Sequence, residues 1–513
     1  MFHYDVRSSK KDCQPRLYLG PKLTVMGQVV SCIAFMALFV IFYTSRSEPQ
    51  HISIISATYF KNSSIYPQNT MVVLFNSQRA WIPQKSLVCK SFIQASDQDK
   101  RKASDPVKLK ELAHVQYMTL PTFVCSWNAY VITCPVVENP TGFALTDTGI
   151  RSRQVSIPFR KAVTENLGLV ACFSPLFYFE RWQVMFPSLE IYRQFGVSRQ
   201  VYYIQSIREE IYELLQAYKY ADAVDIEPWT IMEFGDTKHS VKDPNLELEW
   251  RNQAGAHTDC YLKYREAAEF IIISDIDDVL IPRHGSYLHE LHSLVNQYPS
   301  AAAFTFGRYN TAIQSDIGPD HYSLQNLLDN ARITMSQRED GKSVVRTSAV
   351  QTVWIHWPAI IKEGYKVVSV DEGFDFMVHL RNWTNTQPNV NSFTKDEISL
   401  HTVILSQNVS KLSYESARFI SMYAKKEFKA LPDDSVYYKL IEKCYNEMFY
   451  SRARRPAQCP GPARCKLPTN LPGIGCAVAE VTTMHSPIND YAIVHFPQTE
   501  KKIVIHSDGC RSY

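Results

Sequence analysis

The chain has 513 residues, with 54 lysines and arginines against 51 aspartates and glutamates, for a formal net charge of +3. That length suits one large enzyme domain with additions. The near balance of charge excludes the basic footprint of a nucleic-acid binder, and RARR at Arg452–Arg455 reads as a solvated loop.

The first readable element is LTVMGQVVSCIAFMALFVIFYT, Leu23–Thr44, which carries no charge. As a helix rising about 1.5 Å per residue it spans roughly 33 Å, about one bilayer core. Arg7, Lys10, Lys11, Arg16 and Lys22 precede it, and only Arg46 follows closely. The positive-inside tendency then keeps residues 1–22 as a cytosolic tail, makes 23–44 an uncleaved signal anchor, and sends the rest across the membrane. A cleaved signal peptide is the rival reading, but its short apolar core and small-residue cleavage site are not evident. Ten cysteines lie beyond the span, an even number in an oxidising compartment, so disulfides are expected. No CxxC pair supports a zinc or thioredoxin-like site. Sequons at Asn62, Asn382 and Asn408 permit N-glycans.

A polar stem covers residues 45–51. Residues 52–150 show short β-like runs, TMVVLFN and TFVCSWNAYVITCPVV among them, and are expected to form a small β-rich luminal subdomain. The pattern changes near Asn166. LGLVACFSPL reads as a buried strand, SLEIYRQFG as a helix with a Ser cap and Gly stop, VYYIQS as a strand, and REEIYELLQAYKYA as a helix. AVDIEPW is the next strand, NQAGAHTDCYLKYREAAE the next helix, and FIIISD the strand after it. Alternation of apolar strands and helices predicts an α/β fold with a mainly parallel sheet, whose ligands bind at the carboxyl ends of the strands.

The acidic cluster of FIIISDIDDVLIPRHG, Phe270–Gly285, falls at such an end. Asp275 and Asp277 are two residues apart in extended chain, so their carboxylates share a side, and their mutual repulsion opposes joint ionisation. A divalent cation relieves it, and oxygen ligands suit Mn²⁺ or Mg²⁺. One aspartate alone would more simply cap a helix. Two chemistries use D-x-D-D after an apolar strand. One is a nucleotide-sugar glycosyltransferase, with metal and diphosphate on the carboxylates. The other is a haloacid-dehalogenase-type phosphatase with Asp275 as nucleophile and Asp277 as acid. The phosphatase motif belongs on the first strand of its domain, whereas three strand–helix units precede this one.

The blocks LGLVACFSPLF, RWQVMFPSLEIYRQFGVSRQVYYIQSI, EEIYELLQAYKYADAVDIEPW and ISDIDDVLIPR, across roughly Leu167 to Asn382, resemble glycosyltransferase family 92. The resemblance implies a GT-A-like fold, an inverting mechanism and a single-pass type II Golgi membrane protein. It implies a UDP-sugar donor, most simply UDP-galactose, and a glycan acceptor such as fucose of N-glycan cores. Residues 165–450 become the catalytic domain, and 451–513 a Cys/Pro-rich tail. Asp278 stands where the family is expected to carry Glu, a swap that keeps charge but shortens reach. A non-catalytic carbohydrate-binding member of the fold is the alternative.

Further site residues follow from both routes. Lys342 and Arg346 in GKSVVRTSAV resemble a family block and offer cations to a diphosphate. His379 and Arg381 share one side of FDFMVHLRN. His379 is expected to complete the metal shell with Asp275 and Asp277, and Arg381 to help bind the donor. Inversion needs a general base, for which Glu372 and Asp375 in VDEGFDF are the candidates. Trp357 in HWP could stack on a sugar, but a buried aromatic is the commoner outcome, and it is left out of the site. Downstream, ISLHTVILSQ reads as strand-like, two helical segments follow, and a loop-rich stretch closes the chain.

Overall fold

The computed structural model describes residues 49–78, 87–93, 108–121, 124–234, 242–314, 317–370, 376–381, 396–404, 406–450, 459–461, 464–498 and 500–511. The apolar run Leu23–Thr44 lies outside them. Among the described residues no helix is long and apolar enough to cross a membrane. Residues Pro49–Tyr513 cluster as one compact unit.

The first part of the described chain is β-rich and includes three antiparallel neighbours, β1 (Gln50–Phe60), β2 (Thr70–Gln78) and β3 (Trp127–Pro135). Their alternate residues, such as Met71, Val73 and Phe75 on β2, bury into one apolar core. The α/β half follows: β4 (Gly168–Phe173), α1 (Trp182–Gln194), β5 (Arg199–Ile204), α2 (Glu209–Tyr220), β6 (Val224–Pro228), α3 (Gln253–Tyr264) and β7 (Ala268–Ser274). β5 and β7 flank β4, β6 flanks β5, and all four run parallel. β4, β5 and β7, inside the sheet, are largely apolar and buried, whereas the edge strand β6 alternates Val224 and Ile226 with Asp225 and Glu227. Cys172 at the end of β4 is tied to Cys260 on α3.

After β7 the direction changes. β8 (Asp278–Ile281), β9 (Ala301–Ala312), β10 (Arg332–Arg346) and β11 (Phe376–Arg381) extend the sheet to the order β6-β5-β4-β7-β10-β9-β11-β8. β10 is antiparallel to both β7 and β9, whereas β11 is parallel to β9 and antiparallel to β8. The outcome is a mixed α/β domain whose acidic turn, residues 275–277, sits between the parallel and mixed halves.

Three elements differ from the sequence reading. α1 starts at Trp182 and runs through Pro187. Trp182, Met185, Phe186 and Leu189 all bury along it, and that burial outweighs the hydrogen bond proline cannot make. ISLHTVILSQ is strand only over Glu397–Ser399, then helical from Leu400 to Val403. Leu400 and Ile404 are four apart and both buried, which is a helical face rather than strand alternation. The closing stretch carries four strands, β12 (Cys476–Glu480), β13 (Thr483–Asn489), β14 (Ala492–Pro497) and β15 (Lys502–His506). β14 pairs in parallel with β1, so the end of the chain completes the first sheet. The ten cysteines pair as 89–134, 125–459, 172–260, 444–465 and 476–510.

Candidate active site

The apolar strand β7 ends at Ser274, and the chain turns through Asp275, Ile276 and Asp277 into β8. The Asp278 N–H closes this turn on the Asp275 carbonyl at 3.1 Å. β8 then pairs with β11 in a register that sets Asp278 directly opposite His379. The Leu380 N–H donates to the Asp277 carbonyl at 2.8 Å and holds the two segments together. Strand pairing, not local sequence, therefore delivers His379 to the acidic turn.

Asp277, Asp278 and His379 each offer a ligand atom, all within 4.8 Å of one another. His379 Nε2 is 3.2 Å from Asp277 Oδ2 and 3.9 Å from Asp278 Oδ1, and its Nδ1 is 2.8 Å from Glu339 Oε2. Asp275 has different partners within the same cluster. Lys342 Nζ lies 2.8 Å from its Oδ2, and the Gln253 amide donates to its Oδ1. Arg308 spans Asp278 at 2.9 Å and Glu339 at 2.9 Å.

Charge explains why the cluster is built this way. Four carboxylates, Asp275, Asp277, Asp278 and Glu339, face two permanent cations, Lys342 and Arg308. Among the described side chains the carboxylates outnumber these two cations in a largely buried setting, an excess of negative charge that a divalent ion would offset. Burial opposes ionisation of Asp275, yet the Lys342 ammonium holds its carboxyl well below the usual range. Asp278 is pushed up, first by burial and then by Asp277, against the pull of His379, Arg308 and Lys342. Burial would lower His379, but Asp278 and Asp277 outweigh it and raise the imidazole to about 9. A proton on His379 thus answers the same excess charge that a metal would, and oxygen and imidazole donors suit a divalent ion.

The cluster opens into a cavity of about 490 Å³. One wall is the segment after β4, including Tyr178 and Arg181, with Gln205 from the end of β5. The other includes Lys342, Ile355, His356 and His379. Tyr178 and Trp250, both lining it, hold φ of +48° and +46°. Left-handed backbone at bulky residues costs on the order of 1–3 kcal/mol and persists where surrounding packing imposes it, commonly at binding sites.

The sequence-derived residues divide accordingly. Asp275, Asp277, Lys342 and His379 are brought together at the cavity. Arg346 is not. It pairs opposite Phe270 near the start of β7, while the acidic turn follows the end of that strand, and its guanidinium donates to the Pro299 carbonyl. Arg381 is the last residue of β11, and its side chain lies outside the described residues, as do Glu372 and Asp375. Sequence reading gave Asp278 no place in the metal shell and missed Arg308 and Glu339. A carboxylate two strands away carries no local signature, but Asp278 had one: it continues the D-x-D and heads the strand that pairs with His379.

The chain matches the family model described as glycosyltransferase family 92 over residues 168–414, from the first strand of the parallel half to a helix beyond β11. It is 33% identical over 470 residues to glycosyltransferase family 92 protein F59C6.8 of Caenorhabditis elegans, covering 88% of this chain and 87% of that protein. It is 28% identical over 488 residues to family 92 protein F13G3.3 of the same organism, covering 91% of each. The matched segment contains the whole acid–histidine cluster. The chain is a glycosyltransferase, and it belongs to glycosyltransferase family 92.

Proposed function

We propose that the chain is a metal-dependent, inverting hexosyltransferase that moves galactose from UDP-galactose onto a glycan acceptor such as fucose of N-glycan cores. The observation that carries this reading is the cluster of Asp277, Asp278 and His379, with ligand atoms within 4.8 Å of one another, beside a cavity at the carboxyl edge of the parallel strands. Asp277, Asp278 and His379 would hold Mn²⁺ or Mg²⁺, with Asp275 alongside. When bound, the ion supplies positive charge to the diphosphate leaving group.

The protein's own groups do the rest. Lys342 keeps Asp275 ionised and adds positive charge near the diphosphate. Arg308 fixes Asp278 and Glu339, and Glu339 in turn orients His379 through its Nδ1. The acceptor oxygen forms a bond to the anomeric carbon as the bond to the diphosphate breaks, and the hydroxyl proton passes to a carboxylate, for which Glu372 and Asp375 are our candidates. Arg381, two residues beyond His379, is our candidate for a donor contact. The GT-A-like sheet, the anchor over residues 23–44 and a Golgi location with the catalytic domain in the lumen belong to the same proposal.

The test is transfer by the full chain in detergent, with UDP-galactose and other nucleotide sugars, onto fucosylated N-glycans. A chelator should abolish transfer and added Mn²⁺ or Mg²⁺ should restore it. Absence of transfer from every nucleotide sugar, or transfer indifferent to chelation, would overturn the reading.

A further inference from the structure

The turn Trp354–Ile355–His356–Trp357 joins a two-stranded ribbon, Val350–Val353 with Pro358–Ile361. It is closed by a bond of its own and fastened from two sides. The Trp354 N–H donates to the Trp357 carbonyl at 2.9 Å. The Trp354 indole donates to Glu249 Oε2 at 3.2 Å. The His356 ring meets the Gly341 carbonyl at 2.9 Å through Nδ1, and Lys342, which holds Asp275, also donates to the Ile355 carbonyl at 3.3 Å. Trp354 packs on Trp357 with ring centroids 4.8 Å apart. After all this fixing, Trp357 is still 44% exposed. The turn thus holds one face of an indole partly open to solvent while its other contacts fix the ring in place.

Trp357 borders a hollow of about 350 Å³ whose other walls include Thr305, Arg338, Glu339, Asp340 and Ser369. A flat aromatic face beside hydroxyl, carboxylate and guanidinium groups matches the two chemistries of a pyranose, its C–H face and its hydroxyl rim. The hollow joins the reaction centre structurally, because Glu339 lines it while bonding His379 and Arg308. It is separate from the cavity wall after β4, where the strained Tyr178 sits.

Resting on the glycosyltransferase reading, we infer that this hollow is a subsite for the acceptor glycan, with Trp357 stacking on a pyranose of that glycan. Trp357 acts by positioning the acceptor, not on the reacting atoms.

The full chain in detergent is compared with Trp357→Ala, Trp357→Leu and Trp357→Tyr. Leucine keeps the apolar bulk and removes the flat ring, so it guards against a folding artefact. The Ala and Leu variants should raise the acceptor KM about tenfold, as expected for a lost stacking contact near 1.4 kcal/mol, and Tyr should stay within about threefold. The effect should fall on the acceptor KM rather than the donor KM. An acceptor KM within about twofold of the parent in Trp357→Leu overturns the subsite while leaving the glycosyltransferase reading intact. Should no nucleotide sugar be turned over, retention on a printed N-glycan array decides separately. Retention by the parent lost in Trp357→Leu upholds the subsite, and equal retention, or none by the parent, overturns it.

Discussion

At the scale of single residues, the site is governed by buried charge. Lys342 is 1% exposed and lies between Asp275 and Asp278 at 2.8 and 3.8 Å. Lys342→Met removes one positive charge and strands the carboxylates it serves. Breaking a buried pair from one side costs about 3–5 kcal/mol, so the variant should unfold at markedly lower denaturant concentration, and activity should fall with it. Asp277→Asn behaves differently. Asp277 is only half-buried, and its neutralisation relieves repulsion with Asp278 while giving up a partner of the His379 imidazole, so stability should change much less than in Lys342→Met while transfer falls about 100-fold through weakened metal binding. Measuring denaturation and transfer on both variants separates the two roles. Equal stability loss in both would contradict the charge count. Asp275 and Asp277 were legible because the motif is local. Glu339 and Arg308 were not, because they arrive on β9 and β10, far along the chain, and nothing near them in sequence marks a site.

At the scale of elements, the site depends on how β9 and β10 pass each other. Their register slips between Phe306 and Arg308, opposite the Glu339–Lys342 stretch. Gly341 sits at this slip, where an added Cβ would fall 1.5 Å from the Phe306 carbonyl oxygen. No side chain fits against fixed backbone at that distance, so Gly341→Ala must push β10 away from β9. Lys342, the next residue, and Glu339, two residues before the glycine, would move together, and the Gly341 carbonyl would release His356. We expect a loss of transfer of at least about 100-fold together with a destabilisation on the order of 1–3 kcal/mol. A variant with parent-like kinetics would contradict the account of the slip. The parallel elements were readable because each is an apolar run bounded by turn residues. The slip was unreadable because register is a property of two strands, and the glycine that permits it looks like any turn residue in GKS. The helical stretch after Ser399 was misread for a related reason: a short apolar run fits both periods until its neighbours choose one.

At the scale of the whole molecule, the first and the closing described strands are linked by histidines. His51 on β1 meets His495 on β14 with Nδ1 and Nε2 2.8 Å apart, and His495 meets His485 on β13 with their Nδ1 atoms 2.7 Å apart. Donation running in either direction along the three rings keeps every ring neutral, and His51 Nε2 is buried without a hydrogen-bond partner. Burial, then His485, lowers His51 to about 4, and burial with His51 and His485 lowers His495 to about 2. An unfolded histidine titrates near about 6.5. Below that pH the unfolded chain takes up protons that the native rings refuse, so stability is full above about 6.5 and drains as pH falls towards 4. His51 alone accounts for roughly 2 kcal/mol between pH 7 and 5. His257 and His356, lowered by burial to about 3 and about 4, act in the same direction. His379, raised to about 9, contributes stability that is lost between about pH 6.5 and 9, outside this window. The melting temperature of the full chain should therefore drop between pH 7 and 5. In His51→Phe, which keeps an aromatic ring against Phe234, the drop should shrink by the share His51 carried. Parallel curves for parent and variant would mean that the three rings do not couple β1 to the closing strands through protonation. The same fastening accounts for why a chain cut after the family-matched segment, at residue 414, should not fold. It would lose β14, the parallel partner of β1, and with it His495, the ring that the His51 side chain bonds across the sheet.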